Sequence, residues 1–188
     1  MTQGDLLRST HHAAIGGGIS ARDSILWRPV LKVEKYHGDD LTHDPYETIE
    51  RAGNLLTTAG LARITSLITA AGGQGATNTS ARLGVGNSTT AAAVGQTDLQ
   101  AAAGSANRQF KTMDATYPQS ANGVITFKAT FGTTLANFAW NEWGIDIGTP
   151  TVADGTTVAA LLLNRAVQAL GTKTSAGTWV ATATITLS

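Results

Sequence analysis

The chain has 188 residues, enough for one ordinary domain with a real core, or for one domain plus an arm. Its formal charge is zero and it has no cysteine. That argues against a nucleic-acid partner, which calls for a basic excess, and leaves neither disulfides nor thiolate metal sites. No run approaches the roughly 18 apolar residues of a membrane span, so no membrane partner is expected.

The opening "MTQGDLLRST" lacks a basic stretch followed by an apolar one, which predicts synthesis in the cytoplasm rather than secretion. Charge is unevenly spread: residues 1–51 hold 14 charged side chains and the other 137 residues hold 12. Only 14% of the chain is charged, against roughly 25% for an ordinary soluble domain. Thr, Ala and Gly dominate beyond residue 52, which suits sheets whose faces are covered by a second sheet or a neighbouring subunit. Assembly into something larger is the expectation.

Residues 1–45 read as an extended N-terminal arm lying outside the folded domain. Gly16, Gly17 and Gly18 carry too much backbone entropy to order alone, so a partner is expected to order them. These glycines and Trp27 are assigned to a subunit contact. Within "ILWRPVLKVEKY", Val30, Lys32, Glu34 and Tyr36 alternate with Leu31, Val33 and Lys35, a weak strand that Pro29 places at an edge. "HGDDLTHD" then gathers His37, Asp39, Asp40, His43 and Asp44 at no recognised ligand spacing, so solvated loop charges are favoured over a metal site.

Residues 46–188 read as a β-sandwich domain. Its helix falls within 46–71, where Leu61, Ile64, Leu67 and Ile68 form one apolar stripe and Gly72-Gly73 end it. The first half is weakened by Gly53 and Gly60, and Thr57-Thr58 offer caps for a shorter helix starting near Ala59. Strands are predicted near 81–86, 106–114, 122–131, 136–147, 158–169 and 178–187. In "GVITFKATF" one face holds Ile125, Phe127, Ala129 and Phe131; in "TWVATATITLS" one face holds Trp179, Ala181, Ala183, Ile185 and Leu187. The fold class is mainly β: an antiparallel sandwich or small barrel with one helix and an arm.

Chemical motifs are sparse. "LGVGNSTT" crowds Gly84, Gly86, Ser88 and Thr89 as a nucleotide loop does, but it lacks the lysine of a phosphate loop and the third glycine of a dinucleotide fingerprint. A chain turn exposing small residues for packing is the reading, with no cofactor. No serine sits in a nucleophile elbow. Glu142 and Asp146 share a strand face about 13 Å apart, beyond the roughly 5–9.5 Å of paired glycosidase carboxylates. Neither catalytic nor metal residues are expected. In "NFAWNEWGI" the odd offset puts Trp140 and Trp143 on opposite faces. Trp143 is assigned to the core beside Trp179, and Trp140 to a cover or subunit contact, with Glu142 paired to Arg165. An exposed indole stacking a sugar ring is the competing reading. The sequons at Asn78 and Asn87 carry no weight without secretion.

Four segments taken in order resemble a known group. They are "GNLLTTAGLARITSLI", "ARLGVGNSTTAAAVGQTDLQAA", "NFAWNEWGI" and "LLLNRAVQALGTKTSAGTWVATATITLS". The sequence resembles virion structural proteins of tailed bacteriophages over roughly residues 53–188; order and spacing carry the likeness rather than any single motif. The resemblance implies a non-enzymatic homo-oligomer located in the virion. Its partners would be other virion proteins: the major capsid protein for a decoration or cement role, or tail proteins for a tail or fibre role with a receptor- or sugar-binding surface.

Overall fold

Period-two alternation in the chain's Thr-, Val- and Ile-rich runs makes each a strand with one apolar face, and two such faces pack together. The computed structural model describes residues 26–148, 155 and 161–188. In chain order the strands are β1 (Trp27–His37), β2 (Glu47–Ala52), β3 (Leu55–Leu56), β4 (Ala81–Gly86), β5 (Arg108–Thr112), β6 (Gln119–Ala121), β7 (Val124–Phe131), β8 (Ala139–Ile147), β9 (Leu162–Thr172) and β10 (Gly177–Leu187). One helix, α1 (Thr58–Ile68), follows β3. Two five-stranded antiparallel sheets result, ordered β2-β1-β10-β7-β6 and β3-β9-β8-β4-β5. Among the described residues the fold is the expected mainly β sandwich with one helix.

The core lies between the sheets. The first contributes Leu31 and Val33 from β1, Phe127, Ala129 and Phe131 from β7, and Trp179, Ala181, Ala183 and Ile185 from β10. The second contributes Leu83 and Val85 from β4, Trp143, Ile145 and Ile147 from β8, and Leu163 and Leu170 from β9. The apolar faces read from the alternation of β7 and β10 are the ones that enter the core; Ile125 and Leu187, at one end of that face, are only partly covered.

Three expectations are corrected. The arm does not extend to residue 45, because β1 is an interior strand, paired with β10 on one side and β2 on the other. Pro29 does not mark an edge. Its carbonyl accepts from Gly53 N, so its missing donor faces the end of β2 and the ladder to β10 stays intact. Gly16, Gly17 and Gly18 lie outside the described residues.

The first half of the expected 46–71 helix is strand. "ETIERA" pairs with β1, and Gly53, at φ +87°, ends it. The shorter helix is the one formed: Thr57 Oγ1 accepts from Gly60 N at 2.8 Å as N-cap. A Cβ on Gly60 would run into the Leu163 backbone, so α1 lies hard against β9. The far side of its stripe is bare, with Leu61, Leu67 and Ile68 exposed.

The third correction concerns the tryptophans. Trp140 is not at a subunit contact; its ring is fully buried, as is that of Trp143. Trp140, rather than Trp143, meets Trp179, edge to face at 4.8 Å, and it meets Phe131 at the same separation. Strict alternation fails because Trp140 lies opposite Gly171 while Glu142 lies opposite Val167. This irregularity re-aims the side chains so that both indoles enter one core. Trp140 Nε1 donates to Ala136 O at 2.9 Å, and Trp143 Nε1 to Gln168 Oε1 at 3.0 Å, so neither ring leaves a polar atom stranded. Trp140→Ala and Trp143→Ala are each expected to destabilise the fold by about 3–5 kcal/mol, read as matching losses in urea midpoint.

Candidate functional site

Six charged residues of the sandwich domain, Arg82, Asp98, Arg108, Glu142, Asp146 and Arg165, meet at the outer face of the β3-β9-β8-β4-β5 sheet. Across the ladders Arg108, Gly86 and Glu142 form one row; Phe110, Gly84, Gly144 and Arg165 the next; Thr112, Arg82, Asp146 and Leu162 the third. The segment 87–107 lies over the first two rows, meeting Arg108, Glu142 and Arg165, and sets Leu99 against Phe110 and Leu162.

Arg165 and Glu142 are both fully buried. Arg165 Nε donates to Glu142 Oε2 at 2.6 Å, Nη1 to Gln96 Oε1 at 2.9 Å and Nη2 to Thr90 O at 2.8 Å. Glu142 in turn accepts from Ala101 N at 2.7 Å and Gln100 N at 3.0 Å. Arg82 Nε meets Asp146 Oδ2 at 2.9 Å, and Arg108 Nη1 meets Asp98 Oδ2 at 2.9 Å and Leu99 O at 3.2 Å. Charges taken this far out of water are tolerated only when paired and hydrogen-bonded.

The "GVG" glycines are not a turn, as expected from sequence, but the floor of this site, inside β4 where every residue is buried. A Cβ on Gly84 would collide with Phe110 and approach Leu99; one on Gly86 would collide with the Glu142 carboxylate and crowd Ala101. Glycine here admits the covering segment and the carboxylate to the backbone. Asn87 N donates to Asn107 O at 2.9 Å, closing the base of the covering segment.

Chemically the arrangement clamps. Glu142 and Asp146 do share a face, but each is fully buried beside its own arginine, and neither is presented to solvent. The predicted Glu142–Arg165 pair is present. The Arg82–Asp146 and Arg108–Asp98 pairs were missed, although charges inside the apolar runs "SARLGVG" and "WGIDIG" are the sequence signal of buried pairing.

At the other end of the sandwich Asp39 is more than a solvated loop charge. It accepts from Thr133 N and Oγ1 and from Thr178 Oγ1, and these bonds hold its carboxyl below the usual range. His37 stacks on Tyr46 at 4.3 Å, and His43 lies 3.4 Å from Asp40. Among the described residues no three His, Asp or Glu side chains gather as metal ligands. Nearby, buried Lys173 donates to Gly132 O at 2.7 Å and Asn137 Oδ1 at 2.9 Å. Burial pushes its ammonium down to about 8, with the Asp39 charge opposing.

Trp27, assigned to a contact, is partly buried; its Nε1 donates to Asn54 Oδ1 at 2.7 Å and its ring reaches the open end of the core. Comparison with protein-family models, curated proteins and solved structures gives no match to this chain.

Two outcomes follow from this geometry. Glu142→Ala leaves a buried guanidinium without its carboxylate and is expected to cost about 3–5 kcal/mol. Hydrogen exchange would then speed first at the Gln100 and Ala101 amides. Lys173 binds its proton in both states below pH 8, but between about 8 and the unfolded value near 10.4 only the unfolded chain does. Stability from this group therefore rises with pH through that window, by about 1–2 kcal/mol from pH 7.5 to 9.5. Urea midpoints should show the rise, and Lys173→Met should remove it.

Proposed function

We propose that this chain is a non-enzymatic structural protein of a bacteriophage virion, decorating or cementing the capsid through contacts with other virion proteins and with its own copies. The observation that carries the reading is the division of labour in segment 87–107. Its one charge, Asp98, pairs with Arg108, and Gln96 and Thr90 accept from Arg165 in the clamp, while Ala91, Ala93, Val94 and Gly95 stand exposed and uncharged on top. Contact surfaces between proteins are depleted of charge at their centres, and a segment already held in place loses little entropy on docking. The low charge of the whole domain supports the same reading, as does the ordered resemblance of residues 53–188 to virion proteins. The alternative of a tail or fibre component with a sugar-binding surface loses its aromatic platform, since Trp140 and Trp143 are both inside the core.

Purified virions of the phage encoding this chain are expected to contain it in many copies by mass spectrometry. Fab labelling of intact particles should place it on the head. Val94→Asp should leave thermal stability within about 0.5 kcal/mol of the parent, as surface changes do, yet abolish incorporation. Absence of the chain from washed particles refutes the proposal, and labelling confined to the tail transfers it there.

A further inference from the structure

Among the described residues, nothing closes the end of the sandwich opposite Lys173. Between the sheets and α1 lies a groove of about 340 Å³, lined by Trp27, Ile64, Leu67, Ile125, Ile147 and Leu187 among others. Ile68 stands at its rim 78% exposed. An engineered cavity of about 150 Å³ takes up a benzene, so this groove has room for roughly two branched aliphatic side chains. Apolar surface this concave and continuous with a core marks a binding site.

The described chain begins at its edge. Leu26 is tied to Ser188 at the end of β10, and the next residue, Trp27, lines the groove. Twenty-five residues precede that point, and positions 9–21 among them carry no Asp, Glu, Lys or Arg. Within this run Ile15 and Ile19 flank Gly16, Gly17 and Gly18, which permit a tight reversal. Eight residue steps lead from Ile19 to Trp27, a reach of up to about 26 Å.

We propose that residues 1–25 of the same chain fold back over this open end and seat Ile15 and Ile19 in the groove between α1 and the sheets. The tether selects the occupant: a short linker gives an effective concentration in the millimolar range, well above that of a second copy in dilute solution. The seated segment extends the core by the side chains that α1, with its bare Leu67 and Ile68, leaves uncovered. This inference is independent of the virion reading and concerns the isolated chain.

The 188 residues include no cysteine, which allows a direct test in the whole of this chain. Ile19→Cys is combined with Ile68→Cys, or in a second variant with Leu67→Cys, and treated with a short bismaleimide at micromolar protein. The control pair joins Ile19→Cys to Thr134→Cys, an exposed position at the far end of the sandwich. Intrachain cross-linking of both groove pairs is expected to outpace the control by on the order of tenfold or more. Mixtures of singly substituted chains should give little interchain product. Equal rates for groove and control pairs overturn the proposal. So does predominant interchain linkage of Ile19→Cys to Ile68→Cys, which makes the occupant a neighbour's segment, or of Ile68→Cys to itself, which makes it a second copy of α1.

Discussion

A guanidinium removed from water must find an acceptor for each of its nitrogens, and Arg165 draws its acceptors from three places at once. Its own strand supplies none. Glu142 comes from the neighbouring β8, and Gln96 and Thr90 come from the segment laid over the sheet. Lifting that segment exposes the pair on one side and strands its hydrogen bonds on the other, so sheet and cover stand or fall together. A buried ion pair of this kind adds little over a well-packed apolar pair, yet it penalises wrong arrangements by several kcal/mol. Its effect is to select one conformation for about twenty residues of chain that have no regular secondary structure. The glycines of β4 belong to the same constraint, since any side chain at Gly84 or Gly86 would hold the cover away.

The two ends of the sandwich are finished by different physics. At one end polar staples close the core: Asp39 ties the turn after β7 to β10, and Lys173 caps the carbonyl of Gly132. Lys35 adds its ammonium over the Trp179 ring at 4.3 Å while pairing with Glu47 at 3.0 Å. At the other end the core meets α1 and stops short, leaving aliphatic side chains of both sheets in a common groove. Hydrogen-bonded closure gives a finished surface, whereas an apolar opening still has area to bury. The molecule thus has a finished end, an unfinished end, and a clamped uncharged segment on one flank.

The sequence by itself determined the sandwich. The period-two runs of β7 and β10, the position of β4, the strand at "LLLNRAVQAL" and the Thr57 cap were all legible, because alternation and capping are local properties that the chain carries in any context. The Glu142–Arg165 pair was legible too, since charges within otherwise apolar strands must find each other. Only the tertiary structure decided the rest. The strand over 81–86 was legible, but its glycines were also read as a chain turn; Phe110, Leu99 and Ala101, pressing in from elsewhere in the chain, make Gly84 and Gly86 a covered floor instead. "ETIERA" has helical propensity and becomes a strand because β1 offers it a ladder. The faces of Trp140 and Trp143 follow alternation until a register irregularity against β9 puts both indoles inside. In each case the deciding partner is distant in sequence, and pairing register and close backbone approach leave no trace in the spacing of neighbouring residues.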